Sequence, residues 1–231
     1  MRRKQTGPEL KLFELDTLKY VTSDNVKDSI QYIGIYPERM SSADVTFARK
    51  SGLLDSASGK FHLSSVALHY ILNVISYREY AFLMLSKQWI KTTNIGNCPP
   101  VYNEPLLTYL LSEIQSRGYI AKSSFTQDMD KSLASKYAPI ILSNLDSLRY
   151  IRGLLLASEL VILDGENYII NPLATAIVND LITNAKRISP PSEETEYESY
   201  WNTMSHGVFD IITQENKSIY TAFFPNLLRS L

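Results

Sequence analysis

Two stretches of this chain spell out the same local structure at a fixed separation. In the first, Leu53-Leu54-Asp55 begins an extended run, Ser56-Ala57-Ser58-Gly59 supplies turn residues, and Lys60-Phe61-His62-Leu63 returns. Ser64-Ser65 then offers an N-cap ahead of an apolar-periodic run. In the second, Leu160-Val161-Ile162-Leu163 is extended, Asp164-Gly165-Glu166-Asn167 turns, and Tyr168-Ile169-Ile170 returns. Asn171-Pro172 starts a helix through Leu173, Ala174, Ile177, Val178 and Leu181. Leu54 matches Val161, Phe61 matches Tyr168, Leu63 matches Ile170 and Ala67 matches Ala174, each pair 107 positions apart. The register holds across strand, turn, strand and helix without a gap, which is the mark of an internal repeat.

A helical segment capped by Ser41-Ser42, running through Val45, Phe47 and Ala48, ends at Ser51-Gly52 just before the first hairpin. Helix, hairpin, helix is the skeleton of a winged helix, a three-helix core with a two-stranded wing. The expected fold is therefore mainly α with short β-hairpins: tandem winged-helix modules plus a C-terminal helical tail. The expected domains are an N-terminal module with a connecting helix at 1–93, a second module at 94–188, and a linker with helical tail at 189–231.

Between the repeats, Asp24-Asn25 caps a helix through Val26, Ile30, Ile33 and Ile35, and Glu9 to Val21 reads as a short strand or a docking helix. The helix after Ser64-Ser65 is expected to run to Ile75. Ser76 to Ile90 carries Tyr77, Tyr80, Phe82, Leu83, Leu85 and Trp89 over more than half its circumference, so as a helix it must be sandwiched between neighbours. It reads as a spine joining the modules. Asn94 to Asn103 reads as the loop between them, and Glu104-Pro105 opens a helix closed by Gly118. Ser124 and Gln127 resemble a capping box, and Ala138 to Ser158 reads as helix. Ser189 to Glu196 is a Pro-Glu linker. Tyr197, Tyr200, Trp201, Met204, Val208, Phe209, Ile211 and Ile212 follow at helical spacing, then Tyr220, Phe223, Phe224, Leu227 and Leu228. A tail this apolar folds back on the body or binds a partner.

The 231 residues give room for one large or two small cores. A hydrophobic fraction of 45% with 20% charged residues argues against global disorder. Cys98 stands alone, so no intrachain disulfide forms. The basic start, Met1-Arg2-Arg3-Lys4, runs into Gly7-Pro8 and charges rather than a signal-peptide core, and no run reaches the roughly 18 apolar residues of a membrane span. A cytoplasmic protein is the expectation.

Catalytic patterns do not assemble. His62, His69 and His206 lie at no metal-ligand spacing with one another or with Cys98. There is no GxSxG elbow and no GxGxxG or GxxxxGK[ST] phosphate loop, and the serines fall at helix starts where capping explains them. Asp128/Asp130 and Glu193/Glu194 have no convergent lysine and read as solvated charge. No enzyme, metal or cofactor is expected.

The basic residues are the remaining signal. Arg49 and Lys50 end the segment in the recognition-helix position of the first module, Arg39 precedes it and Lys60 lies on its wing. Arg149 and Arg152 flank Tyr150 in the second, with Lys131 and Lys136 before it. Such cations reach phosphates or guanine edges when a helix enters a major groove. Equally, Arg49 and Lys50 complement a helix C-terminus with no DNA present, and a formal net charge of −1 gives the DNA reading no help. The 15 tyrosines and 2 tryptophans suit either a protein-binding surface or the seams between helices.

The span from Phe47 to Ile90, with ARKSGLLDSASGKFHLSSVALHYI followed by YREYAFLMLSKQWI and then EPLLTYLLSEIQSRG, resembles winged-helix regions of prokaryotic restriction endonucleases and phage-defence proteins. Those families carry a nuclease or ATPase domain, and nothing here matches one. The resemblance implies a recognition or adaptor subunit whose catalytic partner is a separate chain. The expected function is a non-enzymatic, double-stranded DNA-binding adaptor of a DNA-targeting or defence complex, using Arg49, Lys50, Lys60, Arg149 and Arg152. The alternatives are a protein-interaction scaffold without DNA contact, and an enzyme whose site lacks a local signature.

Overall fold

The computed structural model describes residues 9–12, 23–35, 48, 53–57, 60–93, 101–137, 141–142, 146–190 and 210–230. Within these the chain is mainly helical, with short and chiefly antiparallel strands.

Both hairpins form. Strands β2 (Leu54–Ala57) and β3 (Lys60–Leu63) pair Leu54 with Leu63 and Ala57 with Lys60. Strands β8 (Val161–Asp164) and β9 (Asn167–Ile170) pair Val161 with Ile170 and Asp164 with Asn167. Every rung of the first ladder maps onto a rung of the second at the 107-residue offset. So does the bond that follows: the Ser64 N–H donates to the Leu53 carbonyl at 3.0 Å, and the Asn171 N–H to the Leu160 carbonyl at 3.0 Å. Ser64 and Asn171 then each cap the next turn, Ser64 Oγ accepting from the Ala67 N–H and Asn171 Oδ1 from the Leu173 N–H, both at 3.0 Å. Leu53 and Leu160, Leu54 and Val161, and Ala67 and Ala174 are buried in both copies. At the second tip Gly165 holds φ +58°, the left-handed geometry that a two-residue hairpin turn requires.

The copies diverge after the cap. In the first, α2 (Ser65–Ile71) packs against α1 (Ser23–Ile35) and α3 (Tyr77–Ser86). In the second, a 3₁₀ turn at Pro172–Ala174 leads into α7 (Thr175–Thr183), which packs against α4 (Leu106–Arg117) and α8 (Lys217–Phe223). Different neighbours bury different faces. Val66 is buried while its counterpart Leu173 is 84% exposed, and Ile71 is 45% exposed while Val178 is buried.

The α3 helix is the spine. Every residue from Glu79 to Ser86 is buried, and α2, α4 and α6 (Asp146–Ala157) surround it. Its start is a capping box: Ser76 Oγ accepts from the Glu79 N–H at 3.2 Å, and Glu79 Oε2 accepts from the Ser76 N–H at 2.7 Å. At Ser124 the expected box does not form. That hydroxyl donates to the Asp128 carboxylate at 2.6 Å and caps no backbone N–H of α5 (Phe125–Lys136).

Three expected spans change. The spine stops at Ser86, not Ile90, because Lys87 and Gln88 turn the chain into β4 (Trp89–Thr93). Val101 to Asn103, expected in a loop, belong to β5 (Val101–Pro105), while 94–100 lie outside the described residues. The helix expected from Ala138 begins at Asp146, because Ile141–Leu142 form β7. These strands join β1 (Glu9–Leu12) in a sheet ordered β5-β4-β1-β7, with β1 antiparallel to β4 and parallel to β7. Likewise α2 ends at Ile71 rather than Ile75, and Asn73 sits at φ +55° just beyond it. The closing role expected of Gly118 is seen: it holds φ +78° at the end of α4.

Tyr197, Tyr200, Trp201, Met204, Val208 and Phe209 lie outside the described residues, as does the linker from 191. Beyond them the tail folds back on the body. Tyr220, Phe224 and Leu227 are fully buried. The Phe224 ring stacks on Phe82 with centroids 4.5 Å apart, and the Asn226 N–H donates to Glu79 Oε1 at 2.6 Å. The Tyr220 hydroxyl donates to Asp180 Oδ2 on α7 at 2.7 Å. Each such buried aromatic contributes about 1.5–3 kcal/mol of apolar burial, so this segment is part of the core.

Candidate functional site

The second repeat supplies the more fully described surface. Its elements run α4, β6 (Ile120–Ala121), α5, β7, α6, hairpin, α7. Strand β6 pairs antiparallel with β9, Ile120 opposite Tyr168, giving a sheet ordered β6-β9-β8. Opposed residues project to one face of an antiparallel sheet. Ile120 and Tyr168 therefore share the inner face, where both are buried and Phe125 meets Tyr168 edge-on at 5.2 Å. Ile162, Ile169, Asp164, Asn167 and Ala121 share the outer face.

The α6 helix lies against this sheet and against α3, burying Leu148, Ile151, Leu154 and Leu155. Arg149 and Arg152 are one turn apart on it. Arg152 is partly buried beside Tyr168. Burial raises the Tyr168 hydroxyl pKa, Arg152 opposes the rise and Glu166 adds to it. Arg149 is placed by its backbone alone.

The first repeat is described less fully. Lys60 begins β3, opposite Ala57. Arg39, Arg49 and Lys50 lie outside the described residues. The five candidate contacts are thus divided between two copies of the hairpin unit: Arg149 and Arg152 stand together on one helix, and Lys60 stands on the other hairpin.

Lys136 and Arg78 are committed internally. Lys136 pairs with Glu104 at 2.6 Å and stands over the Tyr109 ring at 5.2 Å. The Tyr137 hydroxyl donates to the same Glu104 carboxylate, and burial together with that bond raises its pKa. Arg78 pairs with Glu159 at 2.8 Å and lies over the Phe223 ring at 4.5 Å. Lys87, at the α3–β4 junction, is buried and its pKa is pulled down to about 7. Lys131 is exposed on α5. None of these partnerships leaves a local signature in the sequence, because each joins elements distant along the chain.

No family model, curated protein or solved structure matches the chain. The chemistry is read from its own residues. Among the described residues, no three His, Cys, Asp or Glu side chains group closely enough to hold a metal ion. Among them also, no helix is long and apolar enough to cross a membrane. The tip of the second hairpin is acidic: Asp164 and Glu166 are exposed, and among the described residues neither has an ion pair.

Proposed function

We propose that this chain is a non-catalytic adaptor built from tandem winged-helix modules, with duplex DNA contacted through the first. The observation that carries this reading is the common hairpin register with its shared cap, set in the second copy within the order helix, strand, helix, strand, helix, hairpin, helix. With β7 set aside, since it pairs with β1 in another sheet, that order and the pairing of β6 beside β9 support the winged-helix reading.

Charge distribution favours the first module for DNA. Residues 1–93 hold 13 Lys and Arg against 9 Asp and Glu, residues 94–188 hold 8 against 9, and residues 189–231 hold 2 against 6. Phosphate attracts the first of these and is repelled by the last. Arg49, Lys50 and Lys60 are the proposed contacts, with Arg149 and Arg152 the secondary pair. A separate nuclease or ATPase chain is the proposed partner.

The test is fluorescence anisotropy on a labelled duplex of about 20 base pairs over a salt series, enough for one or two modules. Affinity is expected to fall steeply with salt, and Arg49→Glu with Lys50→Glu is expected to flatten the slope. Absence of binding at low salt would overturn DNA contact. The second reading, a scaffold that holds protein alone, is favoured by the acidic tip at Asp164 and Glu166, which repels a phosphate backbone.

A further inference from the structure

We propose that the outer face of the β6-β9-β8 sheet docks an extended segment of a partner protein, in which an apolar residue is followed two positions on by lysine or arginine, added as a fourth strand along β8. The proposal stands whether or not the first module meets DNA.

Three observations converge. First, among the described strands β8 has a neighbour on one side only, β9, so it is the edge of its sheet. An edge strand presents main-chain donors and acceptors to any chain that can align with it. Second, the outer face is apolar where a surface sheet is ordinarily polar. Ile162 and Ile169 are directly opposed and only half-buried, and neither is packed into the core. Tyr119, one residue before β6, is 56% exposed. Third, the tip beyond the apolar pair is negative. Asp164 projects on the same face as Ile162, two residues along the strand, and Glu166 lies in the turn. Lys122, whose N–H donates to the Glu166 carbonyl at 2.8 Å, stands beside this turn.

Charge complementarity selects the occupant. A segment paired along β8 with an apolar side chain beside Ile162 carries its next residue on the same face, two positions on, to Asp164. A cation there meets Asp164, whereas an anion meets like charge. Nucleic acid is disfavoured for the same reason. The hairpin is also firmly held, because the Lys122–Glu166 bond ties its tip to the turn before α5 and the Asn171 amide donates to the Glu159 carbonyl at 2.7 Å. An edge held this way loses little freedom on binding.

The probes are two fluorescein-labelled peptides of about eight residues, a strand's length, one repeating valine-serine-lysine-serine and the other valine-serine-glutamate-serine. Each is titrated into the full chain. The lysine peptide is expected to bind at least about tenfold more tightly, given like-charge repulsion at the tip. Asp164→Lys with Glu166→Lys is expected to reverse that preference, and Ile162→Asp to weaken both peptides. Asp28→Lys, on exposed α1, serves as a control for non-specific charge and is expected to change nothing. Amide exchange is expected to slow at 161–164 in the complex. Equal binding of both peptides, failure of both to bind, an equal effect of Asp28→Lys, or displacement of the lysine peptide by duplex DNA would each overturn the proposal.

Discussion

The Phe224 ring stacks on Phe82 at 4.5 Å between centroids, which places a residue of the C-terminal segment against a helix buried at every position from Glu79 to Ser86. The same segment reaches Glu79, the residue that completes the capping box of that helix, through the Asn226 N–H. Spine, second repeat and C-terminal segment are therefore one packed unit.

Phe224→Ala is expected to cost about 3–5 kcal/mol, the range for removing a buried ring. Deleting 210–231 is expected to remove the cooperative transition altogether, since it strips Phe82 and Asp180 of their partners. Urea denaturation followed by circular dichroism measures both. Loss of a co-purifying protein after such a deletion would thus report unfolding, and the point variants of β8 are the better probes of partner binding.

Asp180 gathers the tail by a second route. Its Oδ2 accepts from the Tyr220 hydroxyl at 2.7 Å and from Asn216 Nδ2 at 3.1 Å. Tyr220→Phe keeps the ring and removes one charge-assisted bond, so a loss of about 1.5–3 kcal/mol is expected in the same denaturation experiment. Burial and Asp180 both raise the Tyr220 pKa, so in the wild type the hydroxyl is expected to titrate only on alkaline unfolding, read by its phenolate absorbance.

Lys87 makes stability depend on pH. Burial holds its folded pKa at about 7, below the roughly 10.4 of a free lysine. Between those values the unfolded chain binds more protons than the folded one, so stability rises with pH. The contribution is complete above the unfolded value and is lost as pH falls through about 7. Lys87→Met, similar in length and without charge, is expected to be the more stable form at neutral pH. The difference between it and the wild type should shrink by up to about 1.4 kcal/mol per pH unit from about 7 to 10. A difference independent of pH would contradict the assignment.

The hairpins were legible because their signals are local: alternating apolar residues, a Gly-containing turn, and a capping residue at a set distance. The spine was legible as a helix but not in its length. Trp89 stands four residues after Leu85 and Ile90 follows it, and apolar residues at that spacing do not by themselves distinguish helix from strand. Their partners in β1 and β5 decide it, and β1 lies near the other end of the first module. Ile141 and Leu142 read as helix for the same reason, their strand character coming from β1. Ser76 and Glu79 carry the capping-box spacing, and so do Ser124 and Gln127. What separates them is that Ser124 turns its hydroxyl to Asp128. At the candidate site, Lys136 looked like a surface cation, and only the packing of β5 beside α5 shows its commitment to Glu104.

The central claim is that one small unit occurs twice with the same strand pairing. Nuclear Overhauser contacts across the two hairpins of the isotope-labelled protein test it most directly. Leu54 is expected to face Leu63 and Val161 to face Ile170, with every other rung following at the same 107-residue offset. A ladder shifted by one residue in either hairpin, which would turn its side chains to the opposite face, would contradict the claim.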